Sequence, residues 1–318
     1  MGRVCREVQV KIEEKIEKPI IDWEETQEEK CRNEPCNWWT LCLNKVFCWI
    51  VVILVKVVRF VLVTVLKWAI RIVCDLFFLL WDIQAFLILL VMSIPIIGGI
   101  VRTILNWATE GLWRFVGLID FIASLAGFQP RKKMYFGIII PTHKGTPITT
   151  EAALQPQITA AIDHMDRLCN INLIYTGAYD SAIDAPFNPL TYACNTEGFF
   201  SDWLLHGSFF ELATALCKFE DSWRRLSGYG AEIIVFVVDD VTPNSKVGCS
   251  MGPTTNYVVV EAPSRDNLTL HEIAHACFLI RHPADPNNVM HSIVKSSPQI
   301  LTNWQVSVIR SSRHCVYI

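Results

Sequence analysis

A long apolar run from Asn44 to Val101 constrains this chain more than any other feature, because charges interrupt it at a fixed interval. Lys45, Lys56 and Lys67 are eleven residues apart, and Arg59, Arg71, Asp75 and Asp82 fall near the same line at about 100° per residue. Eleven residues make three turns at a period of about 3.67, so the charges form one narrow stripe along a helix. The valine-rich composition favours a strand, but Lys56 and Arg59 break the alternation a strand needs. The pattern predicts a helix over Asn44–Asp82, about 58 Å long at about 1.5 Å per residue and longer than a bilayer core. Crossing a membrane would cost about 2.5–3.5 kcal/mol for each of Lys56 and Arg59 at mid-bilayer. Lying in the interface with the lysines reaching outward is cheaper.

Ile83–Val101 differs from this helix: nineteen residues without charge, twelve of them Ile, Leu, Phe or Val. It is the best transmembrane candidate by composition, although Pro95, Gly98 and Gly99 interrupt it. Arg102, Asn106, Glu110 and Arg114 then mark a second amphipathic helix at four-residue spacing. The run therefore spans a membrane, forms a hairpin tip that dips into one, or packs against copies of the chain. Membrane lipid or a second copy, met through residues 44–129, is the expected partner, which places the chain at a membrane or in a large assembly. Ahead of this run, Val8, Ile12 and Ile16 stand at fourth positions among many Glu and Lys, and Pro19 follows. They predict a solvated helical segment over 1–43.

The net charge of −3 conceals a segregation. Residues 1–44 carry 7 basic and 10 acidic side chains, residues 45–133 carry 10 and 4, and the remainder 11 and 17. The positive block has its charges widely spaced in apolar sequence, which argues against a nucleic-acid partner. A hydrophobic fraction of 52% excludes a disordered chain. Twelve cysteines occur without any CxxC pair, and no apolar signal core follows Met1, so the thiols read as mostly reduced small hydrophobes.

After a basic linker over 130–133, the block 134–318 has ordinary α/β patterning and holds all eight histidines. Strands are expected at Tyr135–Ile140, Asn172–Tyr175, Glu232–Val241 and Asn256–Glu261, with a helix at Thr150–Leu168. A further helix, Leu270–Ile280, carries His271-Glu272-Ile273-Ala274-His275. Histidines at i and i+4 share a helix face and converge on one ion, while the intervening Glu272 reaches a water bound to it. A third ligand must follow, and no Glu occurs after Glu272, so the candidates are His282, Asp285, His291 and His314. Asp239 and Asp240 read as a solvated strand end.

The segment His282-Pro283-Ala284-Asp285-Pro286-Asn287-Asn288-Val289-Met290 makes 134–318 resemble the metzincin zinc peptidases. That resemblance implies a mixed-sheet catalytic domain with an active-site helix and a closing helix over Leu301–Cys315, preceded here by an all-α module. It implies His271, His275 and His282 as Zn2+ ligands, Glu272 as general base, Met290 as the methionine of a turn beneath the metal, and a polypeptide substrate along an edge strand. The loop Thr242–Gly252 would rim the cleft. The chain departs from the pattern where Phe278 replaces the family's glycine and the third histidine comes one residue late, with Arg281 in its usual place. Ser292 stands where the family often has a tyrosine, leaving His291 as an auxiliary candidate. The resulting expectation is a tethered zinc endopeptidase. Its alternatives are a membrane-active or self-assembling protein with an accessory peptidase, and a non-catalytic scaffold.

Overall fold

A computed structural model describes residues 12–34, 43–186, 191–194, 202–219, 222–243, 245–262, 267–294 and 300–317. Cys36 and Cys42 lie outside the described residues. The chain divides into two compact units, Met1–Trp81 and Asp82–Ile318.

In the first unit a π-helical turn, Glu13–Glu17, runs into α1 (Lys18–Asn33), followed by the N-terminal part of α2 (Leu43–Met92). The helix expected to end at Asp82 thus continues for ten further residues. Three cations of its charge stripe are paired within this unit. Arg59 meets Glu24 at 3.3 Å, Lys67 meets Glu13 at 2.9 Å and Glu17 at 2.7 Å, and Lys56 pairs with Glu28. The acidic surplus of the N-terminal segment and the basic stripe of α2 are two halves of one contact. A disulfide joins Cys31 to Cys48, in place of the reduced thiols expected there.

The second unit begins with the end of α2. The apolar run 83–101 is not one helix: α2 stops at Met92, Ser93–Ile96 turn, and α3 (Ile97–Val116) starts beyond them. The turn forms the hairpin-like tip the sequence allowed: Ile94, Pro95 and Ile96 are exposed, while the flanking Leu89, Met92, Gly98 and Gly99 are buried and Leu89 and Met92 pack with Ala215. Among the described residues, the helix long and apolar enough to cross a membrane is Asn44–Lys67. A short α4 (Leu118–Leu125) follows α3.

The expected linker leads straight into β1 (Lys132–His143), where Lys132 is buried and donates to Asp120 and to the Arg310 carbonyl oxygen. Next come β2 (Thr146–Pro147), α5 (Glu151–Cys169, with Thr150 as N-cap), β3 (Ile171–Asp184) and β4 (Thr191–Ala193). They are followed by α6 (Gly207–Cys217), α7 (Ser222–Ser227), β5 (Ile233–Val238), β6 (Asp240–Thr242), β7 (Gly248–Ser250) and β8 (Tyr257–Glu261). The described chain closes with α8 (Leu268–Ala276), α9 (Asn303–Arg310) and β9 (Val316–Tyr317). β3, β1, β5 and β8 pair in parallel, β7 joins β8 antiparallel at the edge, and β2 and β9 flank the ends of β1. β4 and β6 form a separate parallel pair.

Strand β5 shows why this mixed sheet lies between two layers. All six of its residues are buried, Ile233, Val235 and Val237 into one core and Ile234, Phe236 and Val238 into the other. A strand covered on both faces reads as a continuous apolar run. The first core takes α5, α8 and α9, and the second takes α6 with Tyr257 and Val259.

The four-residue stripe of the amphipathic helix α3 faces inward. Arg102 pairs with Asp202 at 2.8 Å, Asn106 donates to the Thr254 carbonyl at 2.7 Å, and Glu110 meets Arg114 at 2.6 Å and Arg313 at 3.4 Å. The opposite face of α3 and α4 presents Ile104 (63% exposed), Phe115 (78%) and Ile119 (79%).

Candidate metal centre

Helix α8 positions the site. Its ladder ends where the Phe278 amide donates to the His275 carbonyl at 2.9 Å and the Leu279 amide to the Ala274 carbonyl at 3.1 Å. These two bonds define a Schellman turn, with Phe278 in the left-handed conformation at φ 76°. A side chain there costs roughly 1–2 kcal/mol, so the rest of the protein must hold it.

His271 and His275 project from one face of α8, and the chain beyond the turn returns His282 to them. The Nε2 atoms of His271 and His275 are 3.0 Å apart, and those of His275 and His282 3.1 Å apart. The His271 and His282 rings are nearly parallel, at 5°, and His275 stands across both. Two of the three tautomers follow from their partners. His271 Nδ1 lies 2.7 Å from the Val289 carbonyl oxygen and His275 Nδ1 contacts that of Leu279, so each Nδ1 carries the proton and donates it. Their Nε2 lone pairs therefore point into a common space. Burial also keeps them neutral, pushing His271 down to about 4 and His275 down to about 3.

Glu272 is buried, and among the described residues its Oε2 has no hydrogen-bond partner. Loss of water raises its carboxyl to about 8, against which Lys246 acts in the opposite sense. The lone pairs of His271 and His275 crowd each other, with His282 Nε2 close by, and a divalent cation held by the three histidines would relieve that crowding. The donor set, neutral imidazoles with a carboxylate beside them, suits a borderline ion such as zinc.

A second layer fixes this arrangement. Met290 is fully buried in a turn, and its amide donates to Asn288 Oδ1 at 2.9 Å. Asn288 is held in turn by Gln305, at 2.8 and 3.1 Å, and Gln305 also completes the capping box of α9 with Thr302. The closing helix thereby sets the turn whose Val289 carbonyl orients His271. Sequence reasoning passed over Asn288 and Gln305, although Thr302-x-x-Gln305 is a legible capping signal.

It also missed Gly248. The expected rim loop contains strand β7, and a Cβ on Gly248 would lie 2.5 Å from Glu272 Oε1 and 2.9 Å from its Cγ. Only a glycine lets the edge strand close over Glu272. A disulfide between Cys194 and Cys249 secures this strand from beyond β4.

Of the other candidates, Asp285 accepts the Asn287 amide in an exposed turn, and His291 receives the Ile293 amide on its Nδ1. His314 is fully buried elsewhere, with Nδ1 on the Ala231 carbonyl oxygen at 2.7 Å. Among the described residues, the group able to hold a metal is His271, His275 and His282.

No family model matches the sequence, and no curated protein matches it. Among solved structures, the chain is similar to metalloproteinase-II from Bacteroides fragilis, at 15% identity and a TM-score of 0.39. That match covers 58% of this chain and 54% of that protein, so the chain spans about half the neighbour's length.

Proposed function

We propose that this protein is a zinc-dependent endopeptidase of metzincin type, with residues 134–318 as its catalytic portion and residues 44–129 attaching it to a lipid surface. The observation that carries the catalytic half is the convergence of three Nε2 atoms, two of them from a helix that also carries the buried Glu272, whose Oε2 has no partner among the described residues. In this reading His271, His275 and His282 hold the ion, Glu272 is the general base, and Met290 is the turn methionine.

Zinc, when bound, supplies Lewis acidity to a peptide carbonyl and acidifies the attacking water. Glu272 takes the proton from that water and returns it to the departing amine nitrogen. Strand β7, at the edge of the sheet among the described residues, would offer that edge to an extended polypeptide pairing antiparallel. Gly248 and Cys249 in that strand bring the substrate backbone over Glu272. His291 is near enough to influence the charge of His271 and His282 and is the auxiliary candidate.

Support for the attachment comes from the reversed polarity of α3, whose charges are turned inward and whose apolar side is in the open. The apolar helix Asn44–Lys67 adds a second element suited to lipid.

The test is the metal content and casein hydrolysis of the purified chain. One zinc per chain is expected, and Glu272→Gln should keep the metal while losing at least about a thousand-fold in activity. His282→Ala should impair zinc retention. A metal-free wild type, or full activity in Glu272→Gln, overturns the enzymatic reading.

A further inference from the structure

Phe278 occupies a backbone conformation that glycine ordinarily supplies, and its surroundings show how it is kept there. Two side chains of α3 close on it. The Trp107 ring stands edge-on to the Phe278 ring, with centroids 6.3 Å apart at 87°. The Arg114 guanidinium lies 5.6 Å from the same ring, and its Nη2 donates to the Cys277 carbonyl oxygen at 2.5 Å. Arg114 is fixed in turn: Nε donates to Glu110 Oε1 at 2.6 Å, and Nη1 to the Val308 carbonyl oxygen at 2.5 Å and Ser311 Oγ at 2.8 Å. One guanidinium thus ties α3, the end of α8 and the closing helix α9 together.

The turn it holds is not remote from the metal ligands. Phe278 immediately precedes Leu279, whose carbonyl accepts the His275 Nδ1 proton, and the same chain continues to His282. If Phe278 left the left-handed region, the Leu279 carbonyl would swing off His275 and the path to His282 would change.

We propose that Trp107 and Arg114 are positioning residues for the metal centre. Clamping Phe278 between them, they hold the turn that orients His275 and delivers His282. The inference rests on the zinc reading above. It makes α3, which precedes the catalytic sheet in the chain, part of the machinery that assembles the site.

The experiment compares zinc affinities of the full chain, by competition with a chromophoric chelator, alongside the melting temperature of each metal-free protein. Trp107→Ala is the principal variant, because Trp107 is 48% exposed and its loss opens no cavity in the core. It and Arg114→Met should each bind zinc about ten-fold or more weakly, the range expected when a group orienting a ligand is lost. The metal-free Trp107→Ala protein should melt within about 2 °C of wild type. Adding Phe278→Gly to either variant should return the affinity to within about three-fold of wild type, since glycine takes this conformation unaided. A general structural role would not be rescued at the turn. Wild-type affinity in Trp107→Ala, or no recovery on adding Phe278→Gly, overturns the inference while leaving the zinc reading in place. A wild type that binds no zinc overturns both.

Discussion

Gly248 shows how one missing side chain can decide where a buried carboxyl sits. A methyl group there would meet Glu272 at its Cγ as well as at its carboxyl, so the whole side chain must shift. Gly248→Ala is therefore expected to lower kcat/KM about ten-fold or more while moving the melting temperature by no more than a few degrees. Equal activity would mean that Glu272 has another productive position. His314 separates stability from catalysis. Burial, with Arg313 and Arg114 nearby, pushes its imidazole down to about 3, well below the ordinary 6.5. The folded state thus keeps His314 neutral while the unfolded chain gains a proton below pH 6.5. The associated stability is complete above that pH and is lost as pH falls towards 3, by about 1.4 kcal/mol per unit. Asn at this position can still donate to Ala231 without titrating, so urea unfolding of His314→Asn should lose about 2 kcal/mol less than wild type between pH 6.5 and 5. Parallel pH slopes would refute this. At the residue scale, His271 and His275 were legible because helical spacing alone brings them to one face, and Glu272 because it stands one step round from His271 in the same motif. Gly248 and Asn288 were not, because their roles depend on which strand and which helix lie across from them.

Helix α3 is legible in one respect and concealed in another. The spacing of Arg102, Asn106, Glu110 and Arg114 announces a helix with a polar stripe, and the helix is there. Which side faces inward depends on partners 100 to 207 residues distant, among them Asp202, Thr254 and Arg313. No local pattern reports these, so the stripe announces an amphipathic helix without telling which face is covered. Similarly, the disulfide between Cys194 and Cys249 joins residues 55 apart that become neighbours only once β4 and β7 are in place. The buried pair of Arg102 and Asp202 attaches α3 to the sheet, and the Tyr192 and Tyr257 hydroxyls donate to the other carboxylate oxygen at 3.1 and 2.5 Å. Removing one charge strands the other in a low dielectric. Asp202→Asn should therefore cost about 3–5 kcal/mol in urea unfolding. Arg102→Met combined with Asp202→Asn should cost less than Asp202→Asn alone, because no unpaired charge is then buried. Additive losses would show that the pair is held by packing and not by charge.

On the scale of the whole molecule, the segregation of charge visible in the sequence has two distinct causes. The basic stripe of α2 answers the acidic N-terminal helices, which removes much of the expected penalty for placing Lys56 and Arg59 among apolar side chains. In the second unit the charges of α3 are spent on the interior, so an apolar surface is left outside. A water-soluble monomer rarely leaves so continuous a face uncovered. Ile104, Phe115 and Ile119 are each more than half exposed and lie apart from His271, His275 and His282 in sequence and in element. They are therefore suitable sites for testing attachment without disturbing chemistry. Burying a large apolar side chain is worth about 1.5–3 kcal/mol, so replacing two of them with glutamate should weaken lipid binding at least a hundred-fold. The measurement is flotation of the full chain with phosphatidylcholine vesicles, before and after Phe115→Glu combined with Ile119→Glu. Wild type should float, the double variant should stay with the soluble fraction, and both should bind zinc equally. If both float alike, Asn44–Lys67 holds the membrane alone. If neither floats and wild type sediments as a larger particle than the double variant, the apolar face is covered by a second copy of the chain, and lipid is not its partner.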